Sequence, residues 1–468
     1  MRLFFLFTLS FLINSNYYSQ TEIRDLIQSN LDRLPASTKC GILIYNSLAK
    51  DTVFSQNSSL LLIPASNTKL FTTATSLATM NGDFLFSTII YSDDPVISDG
   101  ILEGNIYLKG FGNSTFSVEE LDSLVKSLFN RGLRTIIGDV IADDTYFDDY
   151  YSREDWIADE TSNLKLPAVS ALVLNRNEIV ISLHAATTAN KKLTYNISPS
   201  CSFYNVSVSA KSTKKRSTPK ISVTTSENGI NINISGGLKR KGSSVINVDI
   251  DDPQLFASFI FYDLLKKNGI QVNGHPTKGE TIIPSSELCK ESVTLGDLIM
   301  PINKRSDNFA AECLFKALGA FYSGEQGNSF YATQAVLSFL RENDIYHEGT
   351  SIVDGSGISR YNNVSVKSIT ELLEKIYFDP YLYPYFYNSL SIAGVDGTLR
   401  NRFFNSTAYG NFRGKTGYLR GVSAVSGYLT AVTGSNYIVS IIMEFSEKDV
   451  SFYKAIQDDI ITVLAEKL

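Results

Sequence analysis

Cysteine and histidine are scarce in this sequence. Only four cysteines and three histidines occur among 468 residues. The cysteines are scattered without C-x-x-C spacing, which argues against zinc ligation, and their spacing does not show which of them pair. Cys313 lies in a helical pattern and is interpreted as a small core residue. His184, His275 and His347 are not near any of the motifs described below, which argues against a Ser-His-Asp triad.

The chain also lacks a long basic tract. Its net charge at pH 7 is -6, and its most basic piece, Lys211–Lys220, is short and is interpreted as a solvated loop. Nucleic-acid binding depends on clustered Lys and Arg that neutralise phosphates, so the sequence predicts no nucleic-acid partner. A hydrophobic content of 43% is enough for a packed core, and the length suits about two to four domains.

Long apolar runs are absent except at the N-terminus. There Arg2 precedes the run Leu3–Ile13, which is too short to span a bilayer comfortably and fits the core of a signal peptide. Cleavage is expected near Ser19, so residues 1–19 are predicted to be a signal peptide. No cysteine follows the run closely, which argues against a lipid anchor. We therefore expect an exported protein, periplasmic or otherwise extracytoplasmic, with peripheral membrane contact at most.

Hydrophobic periodicity predicts mixed helices and strands at both ends of the chain. A helix of about sixteen residues is predicted to begin near Ser66 and to be buried on one face. The other elements predicted in these parts are a helix over 23–34, hairpin strands over 41–46 and 52–56, helices over 306–318 and 366–377, strands over 411–418, 422–432 and 436–445, and a helix over 451–468.

The middle of the chain has a different pattern. Strands are predicted over 86–91 and 101–109, helices over 118–129 and 253–267, and a β-rich module over about 176–250. The sequence thus predicts an α+β fold in which an antiparallel sheet is flanked by the terminal helices and carries a helical lobe. Residues 20–83 and 288–468 would form this discontinuous domain, and 84–287 would be inserted α+β and β-rich modules, one domain or two nested ones.

Three short motifs contain candidate catalytic residues. Ser66 and Lys69 lie one helical turn apart, so their side chains can meet and the amine can activate the hydroxyl if it is neutral. Ser306-Asp307-Asn308 precedes a predicted helix and places a hydroxyl and an amide two residues apart. Each pattern alone is weak, because a serine at a helix start and a helix cap are common alternatives.

The third motif, Lys415-Thr416-Gly417, lies on a predicted strand and is followed by Tyr418. A lysine and a threonine there suit an anionic carboxylate, and the glycine allows close backbone approach. A strand end with a turn is the alternative for this motif alone. Together and in this order, the three motifs are the set found in penicillin-binding proteins and class A β-lactamases.

The sequence resembles the D-alanyl-D-alanine carboxypeptidase/endopeptidase family, the class C low-molecular-mass penicillin-binding proteins of peptidase family S13. The likeness extends over nearly the whole mature chain. Beyond the three motifs, it rests on the segments 108–116, 138–148, 166–177, 354–360 and 394–399. A large insertion between the first two motifs, and no clear equivalent of the β-lactamase glutamate loop, favour the peptidase. The implied fold is the serine β-lactamase/penicillin-binding-protein transpeptidase-like domain.

The resemblance implies a mechanism and partners. It implies that Ser66 is the nucleophile, Lys69 its base and Ser306 a proton relay. Asn308 would orient both the substrate and Lys69, and Lys415 and Thr416 would bind the substrate carboxylate. Gly417 and Tyr418 would lie along the substrate strand, and the backbone N–H groups of Ser66 and Tyr418 would form the oxyanion hole. Tyr418 departs from the threonine of many relatives. No metal or other cofactor is implied. The partners would be peptidoglycan stem peptides ending in D-Ala-D-Ala and β-lactam antibiotics. Two alternatives stay open, a β-lactamase or esterase on the same scaffold and a non-catalytic wall-binding protein.

Overall fold

The computed structural model describes residues 20–94, 97–157 and 165–468. The predicted signal peptide, residues 1–19, lies outside the described residues. The helices of the described part are α1 Gln20–Leu31, α2 Thr68–Met80, α3 Val118–Asn130, α4 Pro253–Lys267, α5 Leu295–Lys304, α6 Asn308–Ser323, α7 Ser329–Glu342, α8 Val366–Tyr377, α9 Tyr383–Ser389 and α10 Val450–Lys467. None of them is both long and apolar enough to cross a membrane.

Strands are more numerous than helices and form five sheets in the described part of the chain. They are β1 Lys39–Asn46, β2 Asp51–Gln56, β3 Leu85–Ser92, β4 Ile101–Leu102, β5 Ile106–Gly110, β6 Thr135–Ile136, β7 Val140–Asp143, β8 Glu178–His184, β9 Thr194–Ser198, β10 Tyr204–Val208, β11 Lys211–Thr213, β12 Pro219–Ser226, β13 Gly229–Lys239, β14 Ser243–Asp249, β15 Gln271–Val272, β16 Pro276–Lys278, β17 Ser286–Thr294, β18 Ser391–Ile392, β19 Phe412–Leu419, β20 Val422–Thr430 and β21 Asn436–Glu444.

The largest sheet joins the two ends of the chain. Its order is β18-β19-β20-β21-β1-β2, and every neighbouring pair is antiparallel. Side chains alternate between its two faces, so Ile441 packs with the terminal helices α1 and α10, whereas Ile442 packs with the helical lobe. This is the predicted antiparallel sheet with flanking terminal helices and a helical lobe.

Helix α2 lies at the centre of this domain, between the sheet and the helical lobe. It was expected to bury one face, but every residue from Thr68 to Leu77 is buried. The expectation was wrong because threonines and serines on its second face look solvent-exposed in a periodicity argument. Several of these hydroxyls instead bond to backbone carbonyls, as Thr72 does to Gly355 and Thr73 to Lys69.

Some other predicted elements also differ from the structure. The strand predicted over 101–109 is interrupted between β4 and β5, where the backbone N–H and side-chain amide of Asn105 both bond to Asp93. The helix predicted over 306–318 starts at Asn308, because Asp307 caps it. Helices α5, α7 and α9 were not predicted at all. All four cysteines are unpaired, and Cys313 is buried as predicted.

The middle of the chain has its own core. The sheet β16-β7-β5-β3-β17 and three smaller sheets pack with α3 and α4 around buried residues such as Leu108, Val140 and Phe256. The predicted boundary at 287/288 falls inside β17, which pairs with β3. We therefore propose that the inserted block, predicted to span 84–287, ends with this strand.

Candidate active site

Ser66 lies in a short 3-10 turn, Ala65–Asn67, that leads directly into α2. The preceding residue, Ala65, has a φ of +47°, a strained conformation for a residue with a side chain. The surroundings maintain this strain: Ala65 is fully buried, and its carbonyl accepts a hydrogen bond of 2.9 Å from the Thr68 hydroxyl. The nucleophile segment therefore has one fixed backbone conformation where it enters the buried helix α2.

Lys69 is the fully buried side chain behind this serine. Its Nζ lies 3.0 Å from Ser66 Oγ, 2.7 Å from Asn308 Oδ1 and 2.5 Å from the carbonyl oxygen of Ser356. Burial lowers the pKa of Lys69 from 10.5 to about 8, even though three nearby carboxylates act to raise it. A sizeable fraction of the amine is therefore neutral near physiological pH, as a base for Ser66 requires.

Two buried acids surround the Ser356 carbonyl that Lys69 contacts. Glu312 accepts a bond from the Ser356 N–H, and Asp354 accepts bonds from the N–H groups of Gly357 and Ser359. Burial, together with repulsion from Asp354, raises the pKa of Glu312 to about 7. Burial also raises the pKa of Asp354. These acids shape the loop opposite Lys69 and moderate the loss of its charge.

The second motif forms the turn between α5 and α6. Ser306 has a φ of +59°, and its hydroxyl accepts a bond of 2.9 Å from Lys415 Nζ. Asp307 caps α6 by accepting from the Ala310 N–H, so the helix-cap alternative is correct for Asp307. Asn308 is the first residue of α6 and points its amide oxygen at Lys69.

Asp307 is also held by a residue of the inserted block. Arg176 donates two hydrogen bonds to its carboxylate, of 2.7 and 3.1 Å. Residues 175–177 all have positive φ values, of +49°, +60° and +57°, which is unusual for three consecutive residues with side chains. The guanidinium also lies 4.8 Å from the centre of the Phe309 ring. The insert thus contacts the second motif directly.

The third motif lies on β19, at the side of the sheet nearest Ser66. Lys415 is fully buried, and Nζ donates to Ser306 Oγ and, at 2.8 Å, to the Thr416 carbonyl. Burial lowers the pKa of Lys415 well below 10.5, and the positive charge of Lys69 lowers it further. In the described part of the chain no carboxylate forms an ion pair with Lys415, so an anionic ligand would supply its missing counter-charge.

Gly417 allows β19 to approach the nucleophile segment. A Cβ at this position would lie 2.6 Å from the Pro64 carbonyl oxygen, so a side chain there would push the strand away. Beside it, β18 pairs only with Gly414 and Arg413. Within the described ranges, no strand pairs with the outer edge of β19 from residue 415 onward, which leaves room for an extended peptide.

The three motifs meet at one cleft of about 290 Å³. The predicted residues that line it are Ser66, Ser306, Asn308, Thr416, Gly417 and Tyr418. Lys69 and Lys415 are buried and reach the cleft through their bonds to Ser66 and Ser306. The structure therefore brings together all the residues that the sequence analysis singled out. Among the described residues, no group of three or more His, Cys, Asp or Glu is arranged to hold a metal ion.

The chain matches a known protein family along almost its whole length. The sequence profile of the D-Ala-D-Ala carboxypeptidase 3 (S13) family matches residues 22–467. The chain belongs to the S13 family. The resemblance drawn from the three motifs and from five further segments is thereby confirmed, and it covers the inserted block as well as both ends of the chain.

Individual S13 relatives align over most of their length. The D-alanyl-D-alanine carboxypeptidase of Actinomadura sp. (strain R39) is 28% identical over 432 residues, which cover 88% of the chain and 79% of that protein. The D-alanyl-D-alanine carboxypeptidase DacB of Haemophilus influenzae is 26% identical over 437 residues, which cover 92% of the chain and 89% of that protein.

Solved structures confirm the predicted fold class. Penicillin binding protein 4 (dacB) from Haemophilus influenzae superposes with a TM-score of 0.80 at 23% identity, covering 94% of the chain and 99% of that protein. The same protein complexed with a β-lactam gives a TM-score of 0.75 at 24% identity, covering 93% and 97%. At these identities the likeness establishes a shared fold with inserted modules.

Three cleft residues of this S13 chain were not identified as site residues from the sequence. Thr398 Oγ1 lies 2.8 Å from the Thr416 hydroxyl. Arg402 and Lys454 complete the lining. Thr398 lies in the segment 394–399, which was noted only as part of the resemblance. Arg402 and Lys454 had no local signal, because a surface arginine or a lysine on an amphipathic helix looks ordinary until the tertiary structure places it.

Proposed function

We propose that the chain is a serine-type D-Ala-D-Ala carboxypeptidase that hydrolyses peptidoglycan stem peptides through an acyl-enzyme. Ser66 Oγ attacks the carbonyl carbon of the penultimate D-alanine, while Lys69 Nζ accepts the hydroxyl proton. The observation that carries this proposal is the 3.0 Å contact between these atoms, made by a lysine whose pKa burial lowers to about 8. A serine needs such a base, because its hydroxyl is a poor nucleophile.

The backbone N–H groups of Ser66 and Tyr418 would form the oxyanion hole. The close approach of β19 to the nucleophile segment at Gly417 supports this assignment, since it brings the two backbones side by side. A fixed donor of this kind lowers the barrier by about 3 to 4 kcal/mol, because it stabilises charge that develops only in the transition state.

Collapse of the tetrahedral intermediate would release D-alanine. Ser306, held by its bond from Lys415, would relay to the leaving amine the proton that Lys69 took from Ser66, so Lys69 becomes neutral again and Lys415 keeps its charge. Lys415 and Thr416 would bind the terminal carboxylate, which supplies the counter-charge that Lys415 lacks. Asn308 would hold Lys69 and the substrate amide. A water molecule, activated by Lys69, would then hydrolyse the ester on Ser66.

A β-lactam would acylate Ser66 in the same way and remain attached. The test is to add labelled penicillin to the purified protein, digest it and locate the label by fragmentation mass spectrometry. We expect one label per chain, on Ser66, and release of D-alanine from a peptide ending in D-Ala-D-Ala. Rapid turnover of nitrocefin without a trapped ester would instead indicate a β-lactamase, and an unlabelled, inactive protein would indicate a non-catalytic binding protein.

The rate of penicillin acylation should depend on pH through Lys69. The pKa of this amine is lowered to about 8, and only the neutral form accepts the serine proton. The rate constant is therefore expected to rise with pH below about 8 and to level off above it. Stopped-flow measurements of acylation from about pH 6 to about pH 10 check this, and a rate that falls across that range would contradict it.

Loss of the Arg176 contact should slow acylation without touching the reacting atoms. Arg176→Met removes both bonds to Asp307 and frees the turn that carries Ser306 and Asn308. Because small displacements of catalytic groups are costly, we expect acylation to slow by roughly 10- to 100-fold. Arg33→Met, which breaks an exposed ion pair with Asp459, is the matched control. An unchanged acylation rate in Arg176→Met would show that the contact is dispensable.

A further inference from the structure

Among the described residues, four cations line the cleft or bond to a side chain that does: Lys69, Arg402, Lys415 and Lys454. Lys69 faces the buried acids Glu312 and Asp354. The Arg402 guanidinium is bonded to Asp458, with its Nε 2.8 Å from Oδ1. In the proposed function, the α-carboxylate of the leaving residue balances Lys415. The remaining cation is Lys454.

Lys454 lies on α10 and contributes to the lining of the cleft. Within the described ranges it forms no ion pair with a carboxylate. Its nearest acidic neighbour on α10, Asp458, is already bonded to Arg402. The Lys454 ammonium lies 5.4 Å from the centre of the Tyr418 ring, which is half-exposed. This cation–π contact holds the ammonium beside the residue that follows Gly417, and leaves its hydrogen-bond donors available.

The cleft lining contains no acidic residue among those that the structure describes. Two cations, Arg402 and Lys454, and a pair of bonded hydroxyls, Thr398 and Thr416, line the same cleft. Partial burial and the charge of Arg402 lower the pKa of Lys454, although the carboxylate of Asp458 acts to raise it. A further anion in the cleft would therefore favour the charged form of Lys454. Lys415 and Thr416 bind one substrate carboxylate in the proposed function. A leaving residue with only that carboxylate would offer no partner for the positive charge of Lys454.

We propose that Lys454, held beside the Tyr418 ring, is a specificity residue that binds a second carboxylate on the leaving residue. The preferred substrate is then a peptide whose leaving residue carries a further acidic group besides its α-carboxylate. This inference rests on the proposed function, because the leaving side of the cleft is defined by Ser66, Lys415 and Thr416. The ammonium donates to the second carboxylate, while Lys415 and the threonine hydroxyl hold the first.

The test uses three acyl peptides that differ only in the leaving residue: D-Ala-D-Glu, its neutral isostere D-Ala-D-Gln, and D-Ala-D-Ala. We expect kcat/KM of the wild type to be about 5- to 10-fold higher for the D-Glu peptide than for the D-Gln peptide, the size of effect that a partly buried ion pair gives. Lys454→Met should bring this ratio to about one, and Lys454→Glu should invert it. Lys448→Met, an exposed lysine outside the cleft, is the control and should keep the ratio.

Each outcome of the test bears on the inference. Equal cleavage of the D-Glu and D-Gln peptides by the wild type overturns it, as does a preference that persists in Lys454→Met. An equal fall of kcat/KM for all three peptides in Lys454→Met also overturns it, since the lysine would then act on the α-carboxylate. Labelling with penicillin distinguishes failure of this inference from failure of the proposed function. A wild type that is labelled but does not prefer the D-Glu peptide rejects this inference alone, whereas an unlabelled wild type rejects the proposed function as well.

Discussion

Replacement of Lys69 by methionine is expected to slow acylation by penicillin by about 10²- to 10⁴-fold, the usual contribution of a general base. Methionine has a similar length but cannot accept the Ser66 proton, and the other bonds of the Lys69 amine, to Asn308 and Ser356, also disappear. The measurement is the second-order rate constant for labelling, with Ser66→Ala as the zero reference. It should be made alongside D-alanine release, which is expected to fall in parallel.

A control for folding accompanies this prediction. The Lys69 side chain is fully buried, so methionine removes the cost of burying an amine, and the variant should stay folded. Its thermal unfolding and circular dichroism are expected to resemble those of Ser66→Ala. Acylation within about tenfold of the wild-type rate in a folded Lys69→Met protein would show that another group is the base.

Replacement of Gly357 by alanine is expected to damage both stability and acylation. Gly357 has a φ of +81°, and an added Cβ would lie 2.0 Å from the carbonyl oxygen of Ala65 and 2.7 Å from Thr68 Oγ1. The backbone before Ser66 would have to move, although it is already strained at Ala65. We expect a loss of about 3 kcal/mol or more in the free energy of unfolding. Acylation should slow by about 100-fold, because the nucleophile is displaced.

Gly324 offers a matched control for this substitution. It ends α6 with a φ of +73°, and no heavy atom lies within 4 Å of an added Cβ. Gly324→Ala therefore isolates the cost of placing a side chain at positive φ, about 1 to 2 kcal/mol. Urea unfolding of both variants gives the difference due to the clash. If Gly357→Ala proves no less stable than Gly324→Ala, the close contact with the nucleophile segment is not rigid.

The catalytic motifs were predictable because each combines local chemistry with a local element. Ser66 and Lys69 meet across one helical turn, and Lys415 and Thr416 lie on a strand with clear periodicity. The order of the motifs then identified the family, and with it the fold. The depressed pKa of Lys69 follows from its burial, which the sequence suggested only through the apolar run after it. The roles assigned to these residues stay predictions until the variants are made.

Other parts of the site depend on contacts that no local pattern encodes. Arg176 reaches Asp307 from a segment in which three consecutive residues have positive φ values. Asparagine tolerates this conformation, but the sequence analysis did not anticipate it for residues 175–177. Lys454 belongs to the polar side of a C-terminal helix, and only tertiary packing turns that side toward Tyr418. The buried second face of α2 was not predicted for a similar reason. Its threonines and serines look polar in the sequence, but several of their hydroxyl groups bond to nearby backbone carbonyls and can therefore be buried.

The pairing of β1 with β21 imposes an order on how the enzyme matures. A nascent chain leaves the ribosome with its N-terminal end first, so β1 must wait until the distant segment Asn436–Glu444 has been made before its partner exists. Contacts so distant in sequence are slow to form, and an apolar strand without its neighbour invites aggregation meanwhile. The inserted block, with its own core, can collapse during this interval. The cleft, which depends on β19 of the same sheet, therefore forms only after β21 has been made.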